Sequence, residues 1–141
     1  YKVDAKRWSR LSEYAAHNFP NMGQSFADVH SALSHAMAGN DEYLQKYMEG
    51  KNGFAGDIIP CIAKAWKAIT KGEWLIAAQE LAPNIDDFER FGGSRAQRDL
   101  LEFTYVSVLL RAGEAKKAKS VLLKRRPKFS QTAPIKLLGQ I

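Results

Sequence analysis

Three short stretches of the chain follow one pattern: Met37-Ala38-Gly39-Asn40-Asp41, Thr70-Lys71-Gly72-Glu73-Trp74 and Arg111-Ala112-Gly113-Glu114-Ala115. Each places a glycine, then a polar or acidic residue, between runs whose apolar residues recur every three or four positions. Such a glycine closes a helix in a conformation that a Cβ would oppose, and an acid after it suits the positive end of the next helix. The pattern predicts three reversals between antiparallel helices. Five positions beyond the glycines stand Leu44, Ala77 and Ala118. A small residue there, as at the last two, lets paired helices approach closely. The glycines are 33 and 41 positions apart. The first spacing is near the period of roughly 34 residues found in tetratricopeptide arrays, and the second requires an insertion.

No stretch alternates with period two, so no strand is expected. A first helix is predicted from Asp4, its N-cap, to His17, with Val3, Trp8, Leu11, Tyr14 and Ala15 as its apolar stripe. A second spans Ser25 to Ala38, burying Phe26, Val29, Leu33, Ala36 and Met37. A short third helix, capped by Asn40 or Asp41, turns Tyr43, Leu44, Tyr47 and Met48 inward. The fourth runs from Phe54 to Lys71 with Pro60 in its first turns, where a missing N–H costs little. The fifth starts at Glu73, is kinked or restarted at Pro83, and continues to Phe91. Gly92-Gly93 breaks the chain before a sixth helix, Ser94 to Ala112. A seventh runs from Glu114 to Arg126, stopped by Pro127, and a last short one covers Ala133 to Leu138. The expected fold is all-α: one domain over 1–141, a tetratricopeptide-like stack of antiparallel hairpins at about 25–50, 54–91 and 94–126.

A chain of 141 residues, 45% of them hydrophobic, can bury a core without staples. Charged residues interrupt its longest apolar windows, so no membrane span is expected, nor is a secretory leader. The first residue, Tyr1, suggests a segment of a longer polypeptide. The lone cysteine, Cys61, sits in the apolar run Ile58 to Ile62 and is expected to be a small buried hydrophobe. That use of cysteine fits a reducing, cytoplasmic setting. The net charge of +6 is unevenly spread: eight basic residues lie between 111 and 128 against Glu114 alone.

Phe26-Ala27-Asp28-Val29-His30-Ser31-Ala32, Ala38-Gly39 and Gly92-Gly93-Ser94-Arg95-Ala96-Gln97-Arg98-Asp99 resemble, in the same order, the tetratricopeptide repeat protein 38 family. The likeness covers about Trp8 to Pro127, and the last stretch is its most specific part. Arg95 stands where the family's pattern leads one to expect histidine, and Leu100-Leu101-Glu102 departs from its usual continuation. The resemblance implies a helical-repeat fold and the C-terminal portion of a longer protein. It implies no activity, substrate or cofactor.

The segment from Gly92 to Asp99 carries the sharpest local signal. Ser94 and Gln97 have the spacing of a capping box. Asp99 suits the helix start, and Arg98 is expected to pair with a carboxylate such as Asp28. The functional alternative is an anion pocket, in which the helix-start amides with Arg95 and Arg98 hold a carboxylate or phosphate. Ser94, Arg95, Gln97, Arg98, Asp99 and His30 are therefore the candidate ligand residues. His30 and His35 lie five apart, the wrong spacing to share a metal on one helix face. No metal, cofactor or nucleophilic centre is expected. His30 is expected instead to hydrogen-bond between hairpins, and the acids Asp86, Asp87 and Glu89 beside Arg90 to form a solvated face. Lys116, Lys117, Lys119, Lys124, Arg125, Arg126 and Lys128 form a candidate basic surface for acidic proteins, nucleic acid or anionic lipid.

Three functional readings follow. The leading one is a scaffold that binds a protein or peptide in the concave groove of the stack, through His35, Lys64, Lys67 and Tyr105. The second is part of an enzyme with a polar site at His30, Arg98 and Asp99. The third is nucleic-acid binding through the basic segment. Self-association through an exposed terminal repeat is a further expectation.

Overall fold

The computed structural model describes residues 3–127. Among them there are seven α-helices and no strand: α1 (Ala5–Asn18), α2 (Ser25–Ala38), α3 (Asp41–Glu49), α4 (Ile59–Thr70), α5 (Trp74–Leu81), α6 (Arg95–Arg111) and α7 (Ala115–Arg125). The predicted helix at Ala133 to Leu138 lies outside the described residues.

The three glycine junctions share one geometry. Gly39, Gly72 and Gly113 have φ of 70°, 73° and 80°. In each, the amide after the glycine reaches the carbonyl five residues back: Asn40 to His35 at 2.9 Å, Glu73 to Ala68 at 2.9 Å and Glu114 to Leu109 at 2.8 Å. These bonds satisfy carbonyls that a helix end would leave exposed. They set the pairs α2–α3, α4–α5 and α6–α7, which pack together. Leu44, Ala77 and Ala118 are all buried at these pairings. Hairpin follows hairpin as α2 and α3 pack on α4, and α5 packs on α6.

Two helices are shorter than their apolar pattern suggests. α4 starts at Ile59 because residues 54–58 form tight turns, with Gly56 N–H bonded to Gly53 O at 3.2 Å and Ile58 N–H to Ala55 O at 3.0 Å. The chain doubles back so closely that a Cβ on Gly56 would stand 2.4 Å from the Lys51 carbonyl oxygen. Phe54, expected to start the helix, is 81% exposed. α5 ends at Leu81, and Pro83 lies within a 3-10 turn, Ala82–Asn84. A second 3-10 turn, Phe88–Phe91, buries both phenylalanines. The connection 82–94 is longer than its counterpart 50–58 between α3 and α4, and α6, with 17 residues against 12 in α4, is longer as well; together they widen the second glycine spacing.

The first two apolar stripes face the core only in part: Ala15, Val29 and Ala36 are buried, whereas Leu11, Tyr14, Phe26 and Met37 are exposed, and α2 also buries Ala27, Asp28, Ser31, Ala32, Ser34 and His35. α2 packs against α1, α3 and α4 at once. A helix so surrounded accepts mainly small side chains inward, and its large apolar ones turn away. Cys61 is half-buried rather than a core residue.

The polar groups that α2 buries are bonded, as burial demands. Ser12 Oγ and His35 Nδ1 lie 2.8 Å apart, and the His35 ring stacks on Tyr43 with centroids 5.2 Å apart. The Asp28 carboxylate accepts the Gly23 N–H at 3.0 Å. Burial pushes the His35 imidazole below its ordinary value, and Lys46 adds to the shift. Below about pH 6.5 the unfolded chain therefore takes up a proton that the folded imidazole refuses, so stability falls as the pH drops until the folded ring also protonates. Urea midpoints between pH 7.5 and 5 should show this decline, and His35→Gln should flatten it. An unchanged slope in the variant would assign the decline elsewhere. Burial raises the Asp28 carboxyl, which acts in the opposite sense at lower pH: the folded carboxyl protonates before the unfolded one.

Candidate interaction groove and charged hollow

The outward stripes of α1 and α2 lie side by side and line a groove of about 310 Å³. Trp8, Leu11 and Tyr14 form one wall, and Phe26, His30 and Leu33 the other. Ala15 and Ala27 keep the two helices close. Among the described residues, no Lys, Arg, Asp or Glu lines it. Tyr14 meets Phe19 edge-on at 6.3 Å, and Phe26 meets His30 in the same way at 6.4 Å. The His30 Nδ1–H donates to its own helix, to Phe26 O at 2.8 Å. The expected bond between hairpins is therefore absent: the histidine lies on the outer face of α2.

The second feature lies at the other end of the helix order. The start of α6, the end of α7 and the turn Phe88–Phe91 surround a hollow of about 400 Å³. The capping box shapes one rim: Gln97 Oε1 accepts the Ser94 N–H at 2.6 Å, while the Ser94 side chain accepts the Gln97 N–H. Gly92 and Gly93, with φ of 78° each, carry the chain into that cap. Arg98 does not reach Asp28. Its Nη1 donates to Gly93 O at 3.1 Å, because Asp28 is buried at the Gly23 turn. Arg95 and Arg98 both line the hollow.

The opposite wall is an ion network. Glu102 accepts from Arg126 Nε at 2.6 Å and from Arg125 Nε at 2.9 Å. Arg126 also donates to Asp99, and its guanidinium lies 5.5 Å from the Phe103 ring centre. Hydrogen bonds to Glu102 and then Asp99 raise the Arg126 guanidinium above its ordinary value. Arg125 Nη1 donates to Asp86 at 2.7 Å, and Lys124 Nζ lies 3.8 Å from the same carboxylate. Two members of the expected basic surface are therefore internal partners: Arg126 is buried, and Arg125 is shared between two carboxylates. The acidic run is divided as well, since Arg90 turns away to grip Asp57 at 2.9 and 2.8 Å. Lys116, Lys117 and Lys119 are exposed on α7, and Lys128 lies outside the described residues.

No family model matches the chain. No curated protein and no solved structure matches it either.

The structure brings together Arg95, Arg98 and Asp99 with Lys124, Arg125 and Arg126, joining two candidate sets that are far apart in sequence. It does not bring His30 to them, for His30 lines the groove of α1 and α2. The polar constellation of His30, Arg98 and Asp99 therefore does not form one cleft. His35 and Tyr105, expected as groove contacts, are buried, and Lys67 lies 3.4 Å from Asp41. Of those four, Lys64 alone is exposed. Glu102 was missed because a single acid within an apolar helical run carries no local signature. Among the described residues, no group of three or more His, Cys, Asp or Glu is placed to hold a metal ion. No described helix is long and apolar enough to cross a membrane.

Proposed function

We propose that this chain is a helical-repeat interaction module, stacked in the tetratricopeptide manner and related to the tetratricopeptide repeat protein 38 family, whose α1–α2 groove receives an apolar helix of a partner protein. The observation that carries the reading is the uncovered pair of stripes. Leu11, Tyr14 and Phe26 are 48%, 58% and 41% exposed, although their spacing is that of buried helix faces. Contiguous exposed apolar surface of this kind marks binding sites. The three equivalent glycine reversals support the repeat reading. Successive hairpins here cover one another with helices, so an occupant that continues the packing is a helix with apolar residues at i, i+3/i+4 and i+7. The absence of charge in the groove wall favours an apolar stripe over an acidic or basic peptide.

A displayed library of helical and non-helical peptides, selected against the chain, tests the idea. Selected binders should carry that apolar stripe. Leu11→Glu and Phe26→Glu, at exposed positions, should keep the helical circular dichroism and weaken binding on the order of tenfold or more each. Binders without a helical stripe, or affinities indifferent to both substitutions, would sink the reading.

A further inference from the structure

Separate from the groove, we propose that the hollow between α6, α7 and the turn Phe88–Phe91 binds a phosphate monoester group through Arg95 and Arg98. The argument starts from which charges are already matched. Lys124, Arg125 and Arg126 face Asp86, Asp99 and Glu102, three cations against three acids within ion-pair reach. Among the described residues, Arg98 meets only a neutral carbonyl, that of Gly93. No ion pair holds Arg95 among the described residues, and the one other acid lining the hollow is Glu89. The hollow therefore holds more positive than negative charge, and its excess lies on Arg95 and Arg98.

Those two residues are three positions apart on the first turns of α6, so their side chains leave the same side of the helix. Two guanidinium groups present more N–H donors than the two oxygens of a carboxylate can accept, whereas a phosphate monoester offers three terminal oxygens and a double charge. The neighbouring guanidiniums are already held by carboxylates. Glu102 fixes Arg125 and Arg126 by their Nε atoms at 2.9 and 2.6 Å, a rigid wall that orients the site before a ligand arrives. A volume of about 400 Å³ has room for the group that carries the phosphate, at the lower end of the range for small-molecule sites. The Glu89 carboxylate opposes the ligand and limits the affinity.

Calorimetric titration of the whole chain with inorganic phosphate tests this at fixed ionic strength. Saturable binding is expected, strengthening as the pH rises and the phosphate takes up its second negative charge. Arg95→Ala with Arg98→Ala should weaken it on the order of tenfold or more. Lys116→Ala with Lys117→Ala, which removes equal charge from the outer face of α7, should leave it within about twofold. Glu89→Gln should tighten it. A phosphoserine peptide and its serine counterpart separate the sources: tighter binding of the phosphorylated peptide than of free phosphate indicates a modified protein chain, and equal binding indicates a small phosphorylated ligand. Absence of saturable binding in the range of tens of millimolar, equal loss in the Lys116/Lys117 variant, equal affinity for acetate, or weaker binding in Glu89→Gln would each overturn the proposal.

Discussion

Replacing Glu102 by alanine is expected to destabilise the chain by about 3 kcal/mol or more, read as a lowered urea midpoint with an unchanged slope. The cause is the charge left behind. Glu102 and Arg126 side chains are each 8% exposed, and Arg126 would keep one carboxylate, Asp99, for a guanidinium that had two. Arg125 would retain Asp86 at 2.7 Å and lie nearer to solvent, so the cost falls mainly on Arg126. The same network makes a second, opposite comparison possible. Removing the acid and its buried partner together, as Glu102→Met with Arg126→Leu, should recover much of the loss, since an apolar pair needs no desolvation of charge. A double variant as unstable as Glu102→Ala would show that packing, not unpaired charge, sets the cost.

Phe88→Ala should cost a comparable amount, about 3–5 kcal/mol. Phe88 is 1% exposed and meets Phe91 edge-on with ring centres 6.4 Å apart. The connection between α5 and α6 has only short 3-10 turns of its own, so this buried pair anchors it. Phe54→Ala supplies the contrast: that ring is 81% exposed, and its loss should change the stability by no more than about 0.5 kcal/mol. Equal effects at the two positions would mean that the connection is not held by its aromatic core.

Much of this architecture can be read from local chemistry. Gly39, Gly72 and Gly113 mark reversals because a helix end needs a positive φ, a demand met within a few residues. Asp4 caps α1, its side chain accepting the Lys6 N–H at 3.1 Å, and Ser94 with Gln97 forms the expected reciprocal cap, for the same short-range reason. Burial is less legible. Leu11, Tyr14, Phe26 and Met37 share their stripes with Ala15, Val29 and Ala36, yet the first four are exposed and the last three buried, because which positions turn inward depends on how many neighbours a helix has. α2 has three, and periodicity records none of them. The charged hollow is less legible still. Arg126 reads as the basic end of a helix until Glu102, on the preceding helix, is found to accept its Nε–H. The cap and arginines of Gly92–Asp99 are local patterns, whereas the last turn of α7, which closes the space opposite, lies on the following helix and carries no local mark of that pairing.

The pairing at the end of α7 also changes how the molecule looks to a distant polyanion. The eight formal positive charges between residues 111 and 128 suggest one long cationic strip. Two of those eight, Arg125 and Arg126, are locked face to face with carboxylates, and Lys124 lies 3.8 Å from Asp86. Paired opposite charges largely cancel beyond a Debye length of about 8–10 Å. Between residues 111 and 127, the basic side chains that stay exposed are Arg111, Lys116, Lys117, Lys119 and Lys124. Fewer outward charges span fewer backbone phosphates, so attraction to nucleic acid would have a shallower salt dependence than the formal charge suggests.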